Sequence, residues 1–188
     1  FQINRINLGI LPGLIEPDVL QTLQVLPGIQ SVDETISNLT VRGGTNDQNL
    51  VLWDGIKMYQ TGHFFGLISA FNPYLTDKIQ FTKNGTSTSL NDGVSSTIDI
   101  RSDDNVVKKF SGGAGINMIN GDFFVKIPLS PRMSMQVSGR RSIADLFKTP
   151  TYDQYFERTF SNTDVAGISS ANDTLLTTDE NFYFYDLN

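Results

Sequence analysis

The chain of 188 residues has no cysteine and a single histidine, His63. Disulfide scaffolds, cysteine nucleophiles and thiolate zinc sites are therefore excluded, and so is any metal site built on several histidines. Charge is also scarce: 18% of residues are Asp, Glu, Lys or Arg, against roughly 25% in soluble domains. What charge there is leans acidic, 14 basic against 20 acidic residues for a net −6. Such a chain offers no basic face to replace phosphate counterions, which argues against nucleic acid as a partner. No apolar run approaches the roughly 20 residues of a membrane helix, and no signal peptide stands at Phe1. The expectation is a mature chain or an excised fragment, one domain or one domain plus part of another. Asn, Ser, Thr, Gly and Phe fill the place of the missing charge, a balance that favours β structure over helices.

Two halves differ in pattern. Up to about Val107 the residues read as mixed α and β. Ile6, Leu8 and Ile10 alternate as an opening strand. Glu16, Pro17 and Asp18 start a helix whose apolar positions Val19, Leu20, Leu23 and Leu26 keep helical spacing until Pro27-Gly28. Strands are expected over residues 39–42, 50–53, 78–83 and 96–101, with a turn and short helix in the Phe- and Gly-rich residues 62–74. Beyond Phe110, Ala114, Ile116 and Met118 alternate with Gly115 and Asn117, and Asn120-Gly121 offers a type I′ turn. Phe123 to Leu129 returns, Ser130-Pro131-Arg132 turns again, and Met133, Met135 and Val137 alternate with Ser134, Gln136 and Ser138. Small uncharged partners suit the lumen side of a barrel, although a soluble meander fits the pattern too. Residues 161–181 read as a long exposed loop, and residues 182–185 as the start of a further strand with aromatics on both faces.

Catalytic constellations are missing, so no enzyme, no cofactor and no metal site are expected. There is no phosphate-binding loop, and Gly112-Gly113-Ala114-Gly115 lacks dinucleotide-site spacing. The informative stretch is residues 41–55: a strand, a glycine-enabled loop, a buried strand and the Asp54-Gly55 turn. Arg42, Gly43, Gly44, Gln48, Asn49, Asp54 and Gly55 read first as a network holding strands in register, with ligand contact as the other option for Arg42 and Asp54. Thr45, Asn46 and Asp47, at the loop tip, are candidates for contact with something outside.

Val41-Arg42-Gly43-Gly44, Asp47-Gln48-Asn49-Leu50 and Asp54-Gly55 resemble the plug domain of TonB-dependent outer-membrane receptors, above all the carboxypeptidase-regulatory-like group of Bacteroidota. The resemblance starts at Leu11-Pro12-Gly13 and Glu16-Pro17-Asp18-Val19-Leu20. It continues through Leu26-Pro27-Gly28, His63-Phe64-Phe65-Gly66, Phe71-Asn72-Pro73 and Ser95 to Ile100. Val137 to Ser142 and Phe184 to Asn188 look like first barrel strands of the same group. Lys83-Asn84-Gly85 and Leu90-Asn91-Asp92-Gly93 depart from the family's glycine-rich segments, which puts those loop conformations in question.

The resemblance implies an α+β plug domain with a small mixed sheet and short helices (residues 1–107), followed by the first antiparallel strands and an extracellular loop of a large transmembrane β-barrel (residues 108–188). It implies an outer-membrane location and import of a scarce ligand such as a siderophore or other metal chelate, the plug gating the lumen. Implied partners are TonB, through a segment upstream of Phe1, the remaining barrel and the ligand. Ligand contact is expected at two apical loops: Thr45, Asn46 and Asp47, and Tyr59, Gln60, His63 and Phe64. Two further options share these features: an importer of glycans or peptides working with a surface lipoprotein, and a secreted β-rich adhesion module.

Overall fold

The computed structural model describes residues 1–4, 17–31, 35–84, 86–160 and 182–188. The expected opening strand at Ile6, Leu8 and Ile10, the Leu11-Pro12-Gly13 segment and the expected loop at 161–181 lie outside them.

The N-terminal half is built on a five-stranded mixed sheet. Its strands are β1 (Gln2–Asn4), β4 (Asn49–Trp53), β5 (Ile56–Lys57), β8 (Thr76–Lys83) and β9 (Ser96–Ser102), in the order β1-β8-β9-β4-β5. β4 and β9 run parallel, Val51 beside Ile98, and the other pairs are antiparallel. Period-two alternation decides which side chains enter the core. Ile79 and Phe81 of β8 and Ile98 and Ile100 of β9 are buried, while Lys78, Gln80 and Arg101 stay outside. The helix α1 (Val19–Gln24) covers this face with Val19, Leu20 and Leu23. It starts where expected because Asp18 Oδ1 accepts from the Gln21 amide at 2.8 Å. The hairpin of β2 (Ile29–Ser31) and β3 (Leu39–Val41) closes the same core through Ile29, Leu39 and Val41.

Residues 62–74 contain the expected turn and short helix, with two short strands beside it that were not expected. They form two-residue strands, β6 (Gly62–His63) and β7 (Ile68–Ser69), around a 3-10 turn at Phe64–Gly66.

The C-terminal half is an antiparallel sheet in the order β10 (Ser111–Ile116), β11 (Asn120–Ser130), β12 (Met133–Ser142), β13 (Tyr185–Leu187). Its register pairs Phe124 with Ser138, Lys126 with Gln136 and Arg140 with Asp186 on one face. The opposite face pairs Phe123 with Gly139, Val125 with Val137 and Ile127 with Met135. The polar face is turned toward the N-terminal half: Phe124 stacks on Tyr74 at 5.2 Å, and Lys126 Nζ lies 3.4 Å from Asp103. The outer face leaves Ile116, Phe123, Leu129, Met133, Met135, Tyr185 and Leu187 exposed. The expected lumen-side pattern is thus seen in the structure, polar residues inward and apolar residues outward.

Three local expectations are corrected. Asn120-Gly121 is not the turn but the start of β11. The chain reverses at residues 117–119, where Asn117 Oδ1 accepts from the Ile119 and Asn120 amides, both at 2.8 Å. Residues 182–184 precede β13 instead of opening it. A helix, α2 (Pro150–Phe160), stands in the connection between β12 and β13 and was not anticipated. Among the described residues no helix is long and apolar enough to cross a membrane.

Candidate functional site

The loop after β3 holds the first group of site residues. Arg42 and Gly43 both take left-handed backbone, φ 49° and 82°, and turn the chain while the Arg42 amide donates to Gly28 O at 2.9 Å. Gly44 is needed for a different reason. A β-carbon there would lie 2.3 Å from Ser95 Oγ and 2.9 Å from Gln48 Oε1. The backbone carbonyl of Gln48 accepts from the Val94 and Ser95 amides. Asn49 donates to Leu39 O at 2.6 Å and accepts from Ser96 Oγ at 2.7 Å, joining β3, β4 and β9. Asp54 and Gly55, φ 48° and 82°, make the β4–β5 turn, and the Asp54 carboxylate accepts from the Ser102 amide and hydroxyl, each at 2.8 Å. These residues bond to the scaffold.

Thr45, Asn46 and Asp47 are exposed, the last two in a 3-10 turn at Asn46–Gln48. Asn46 donates to Asn38 Oδ1 at 3.4 Å, and the Asn38 amide sits beside Gly66. Residues 35–38 therefore bridge the two candidate loops: the Ile36 and Ser37 amides both donate to Gly66 O.

The second loop divides. Tyr59 is 88% exposed with the Lys57 ammonium 4.9 Å from its ring centroid. Lys57 in turn pairs with Asp92 at 2.6 Å, a hydrogen bond that raises its pKa above the ordinary lysine value. Gln60 is exposed and donates to Gly62 O. His63 and Phe64 point the other way. His63 Nε2 meets Asp186 Oδ1 of β13 at 2.7 Å, and its ring stacks on Phe184 at 4.6 Å. Asp186 also accepts from Arg140 Nε and Nη2 at 3.1 and 2.8 Å, and Arg140 donates to Ser69 O. Phe64 is 4% exposed, under Tyr152 and Tyr155 of α2 and Phe182. Of the expected apical residues, the structure thus leaves Thr45, Asn46, Asp47, Tyr59 and Gln60 open. It seats Phe64 wholly, and His63 mostly, against the C-terminal sheet and α2.

Between the β4–β5 turn, β6 and β13 lies a cavity of about 710 Å³ whose lining includes Trp53, Gln60, His63, Tyr185 and Asn188. Among the described residues no group of three or more His, Cys, Asp or Glu could hold a metal ion.

Sequence reasoning missed Arg140, Asp186 and the aromatics of α2. The signal for Arg140 was present: it continues the inward series Ser134, Gln136, Ser138 and is the one charge in it. Its partner Asp186 lies 46 residues away, beyond the reach of local pattern.

Residues 16–97 match the family model described as TonB-dependent Receptor Plug Domain. Among solved structures the chain is similar to the siderophore receptor PirA from Pseudomonas aeruginosa, with 14% identity and a TM-score of 0.54 over 76% of this chain and 28% of that one. It is also similar to a variant of the ferric enterobactin receptor PfeA from the same organism (15%, 0.53, 76% and 24%). The siderophore receptor PirA from Acinetobacter baumannii is a further likeness (14%, 0.55, 76% and 24%). No curated protein matches by sequence. The chain spans about a quarter of the length of these structures. The fold is accordingly that of a receptor plug, a small mixed sheet with few helices, joined to antiparallel strands of a barrel wall.

Proposed function

We propose that the chain is the plug (residues 1–107) and first wall strands (residues 108–188) of a TonB-dependent outer-membrane receptor, which imports a scarce ligand such as a siderophore or other metal chelate. The observation that supports it most is the register of β10 to β13, which turns Phe124, Lys126, Gln136, Ser138, Arg140 and Asp186 toward the plug and an apolar face outward. That is the arrangement a lipid-facing wall around a polar lumen requires. The plug blocks the lumen, and TonB acts on it. The Val41-Arg42-Gly43-Gly44 and Asp47-Gln48-Asn49 pattern favours the carboxypeptidase-regulatory-like group of Bacteroidota. Thr45, Asn46, Asp47, Tyr59 and Gln60 meet the ligand, the Tyr59 ring offering a stacking face, while His63 and Phe64 support the same loop from beneath.

The test uses the full-length receptor in cells starved of iron. It fractionates with the outer membrane, and uptake of radioiron from a panel of ferric siderophores depends on TonB. Replacing Tyr59→Ala together with Gln60→Ala weakens uptake about tenfold, the loss of one or two good contacts, with the parent amount of receptor in the membrane. Parent-level uptake by the double variant removes this loop from the ligand site, and a receptor absent from the outer membrane removes the whole reading.

A further inference from the structure

The chain carries a net charge of −6, yet one end of the C-terminal sheet is basic. That end is formed by the turn between β11 and β12, where the Arg132 amide donates to Ser130 Oγ at 3.3 Å, and by the residues that lead into β10. The Val107 amide donates at 3.2 Å to the hydroxyl of Ser134, two residues past Arg132, so Lys108 and Lys109 enter the sheet at the same end as that turn. All three cations are exposed, and among the described residues no carboxylate pairs with any of them. The acids of the link into β10 are engaged elsewhere: Asp103 with Lys126 at 3.4 Å, and Asp104 in a polar cleft with Arg101. The surface around the cations is apolar, for Phe110, Leu129 and Met133 are exposed at this end.

The opposite end of the sheet differs. There Arg141 is paired with Asp145, and the residues that follow set Lys148 against the exposed acids Asp153 and Glu157. Cations at that end are matched or outnumbered; at the first end they are not. A sheet with an apolar outer face and one cationic rim fits an amphiphile with apolar chains and an anionic head. Lys and Arg stems lie along apolar surface while their charges reach the interface, and clustered cations there attract anionic lipid headgroups. A soluble anion would satisfy the cations but leave Phe110, Leu129 and Met133 in water. We propose that Lys108, Lys109 and Arg132 hold the headgroup of an anionic phospholipid whose acyl chains lie along Phe110, Leu129 and Met133. The site selects anionic over zwitterionic phospholipid and sets which rim of the wall meets the leaflet that carries it. This rests on the reading of the sheet as part of an outer-membrane barrel wall.

The experiment titrates the purified full-length receptor in detergent with dioleoylphosphatidylglycerol or dioleoylphosphatidylcholine and reads bound lipid by native mass spectrometry. The parent retains the anionic lipid in preference to the zwitterionic one. Each cation near an anionic headgroup surface is worth about a factor of five, so Lys108→Gln with Lys109→Gln and Arg132→Gln weakens the tightest phosphatidylglycerol site about a hundredfold. The charge-retaining set Lys108→Arg, Lys109→Arg and Arg132→Lys keeps that site, and so does Lys148→Gln at the opposite rim. Heat-modifiable migration on gels shows that each variant has folded; should the triple variant fail there, Lys108→Gln alone, expected to lose about fivefold, takes its place. Equal affinity of the parent for the two lipids overturns the site. A folded triple variant that binds phosphatidylglycerol as the parent does overturns it too, as does an equal loss in Lys148→Gln, which would mark a diffuse effect of charge. A parent that imports iron but binds both lipids alike sinks only the lipid site, whereas a parent absent from the outer membrane sinks the receptor reading with it.

Discussion

Arg42 and Asp54 each stand before a glycine and each takes left-handed backbone, φ 49° and 48°. The bonds go to neighbouring loops and strands: the Arg42 amide donates to Gly28 O, and the Asp54 carboxylate accepts from the Ser102 amide and hydroxyl. The two adjacent glycines are not equivalent. Gly43 has nothing within 4 Å of a built β-carbon and is fixed by its φ of 82°, whereas Gly44 is fixed by the closeness of Ser95 and Gln48. Gly44→Ala is thus an overpacking change, expected to cost about 1–3 kcal/mol in denaturant unfolding of residues 1–107, the proposed plug. An unchanged midpoint would show that the 95 loop yields freely. Asn49 separates donor from acceptor. Asn49→Asp keeps the bond from Ser96 but sets a carboxylate oxygen against Leu39 O, and Asn49→Ala loses both bonds. Both lower plug stability in the same assay by about 1–3 kcal/mol, Asp at least as much as Ala.

At the scale of elements, legibility followed the origin of each signal. β8 and β9 were legible because Ile79, Phe81, Ile98 and Ile100 face one core with period two. β12 was legible because Met133 and Met135 on one face are exposed while Ser138 and Arg140 on the other are buried. α2 was not, although Pro150 at its first position and Tyr152, Tyr155 and Phe156 at helical spacing were in view. Aromatics in a polar, loop-like stretch suit a strand as well as a helix, and what decides is Phe64, 88 residues before Tyr152 in the chain and invisible locally. The link from β9 to β10 was equally hidden. Gln136 donates to Asp103 O at 2.9 Å, the Val107 amide to Ser134 Oγ at 3.2 Å, and Lys126 pairs with the Asp103 carboxylate. Burial pushes the Asp103 carboxyl upward, but the Asn105 amides and the Lys126 ammonium outweigh it and hold its pKa below the ordinary value. Its unfolded pKa is then the higher, so its contribution is complete above about pH 4 and is lost as pH falls through the lowered folded value. Hydrogen exchange at the Val107 amide of the full-length protein, corrected for intrinsic rate, is expected to show this loss of protection on acidification. Asp103→Asn abolishes the pH dependence, and equal dependence in both proteins would exclude Asp103 as its source. The two faces of β12 give a sharper contrast. On the proposed reading of β12 as a wall strand, Met135→Lys on the outer face is expected to impair folding into bilayers by about 2–4 kcal/mol at the midplane. Gln136→Ser, on the inner face, does not. Refolding yield in lipid vesicles, read by heat-modifiable migration, measures both.

For the molecule as a whole, the two sheets differ in whether they are complete. The mixed sheet has its own core, with α1 and the β2–β3 hairpin closing one face over Val51, Phe71, Ile79 and Phe81. The wall sheet does not close on itself. Among the described residues β10 and β13 each pair on one side only, and outer-membrane barrels need roughly eight strands or more. In hydrocarbon an open edge leaves rows of unpaired amides and carbonyls at several kcal/mol each. The 188-residue chain by itself is therefore expected to stay outside lipid vesicles or aggregate through those edges. On the proposed reading it should give no fast-migrating, heat-modifiable form, whereas the full-length protein should give one and residues 1–107 should unfold cooperatively in water. A heat-modifiable form of the chain alone would mean that copies of β10 and β13 pair between molecules to complete a wall. In that case the free edges would mark an assembly interface, not the place where further strands of one receptor continue the sheet.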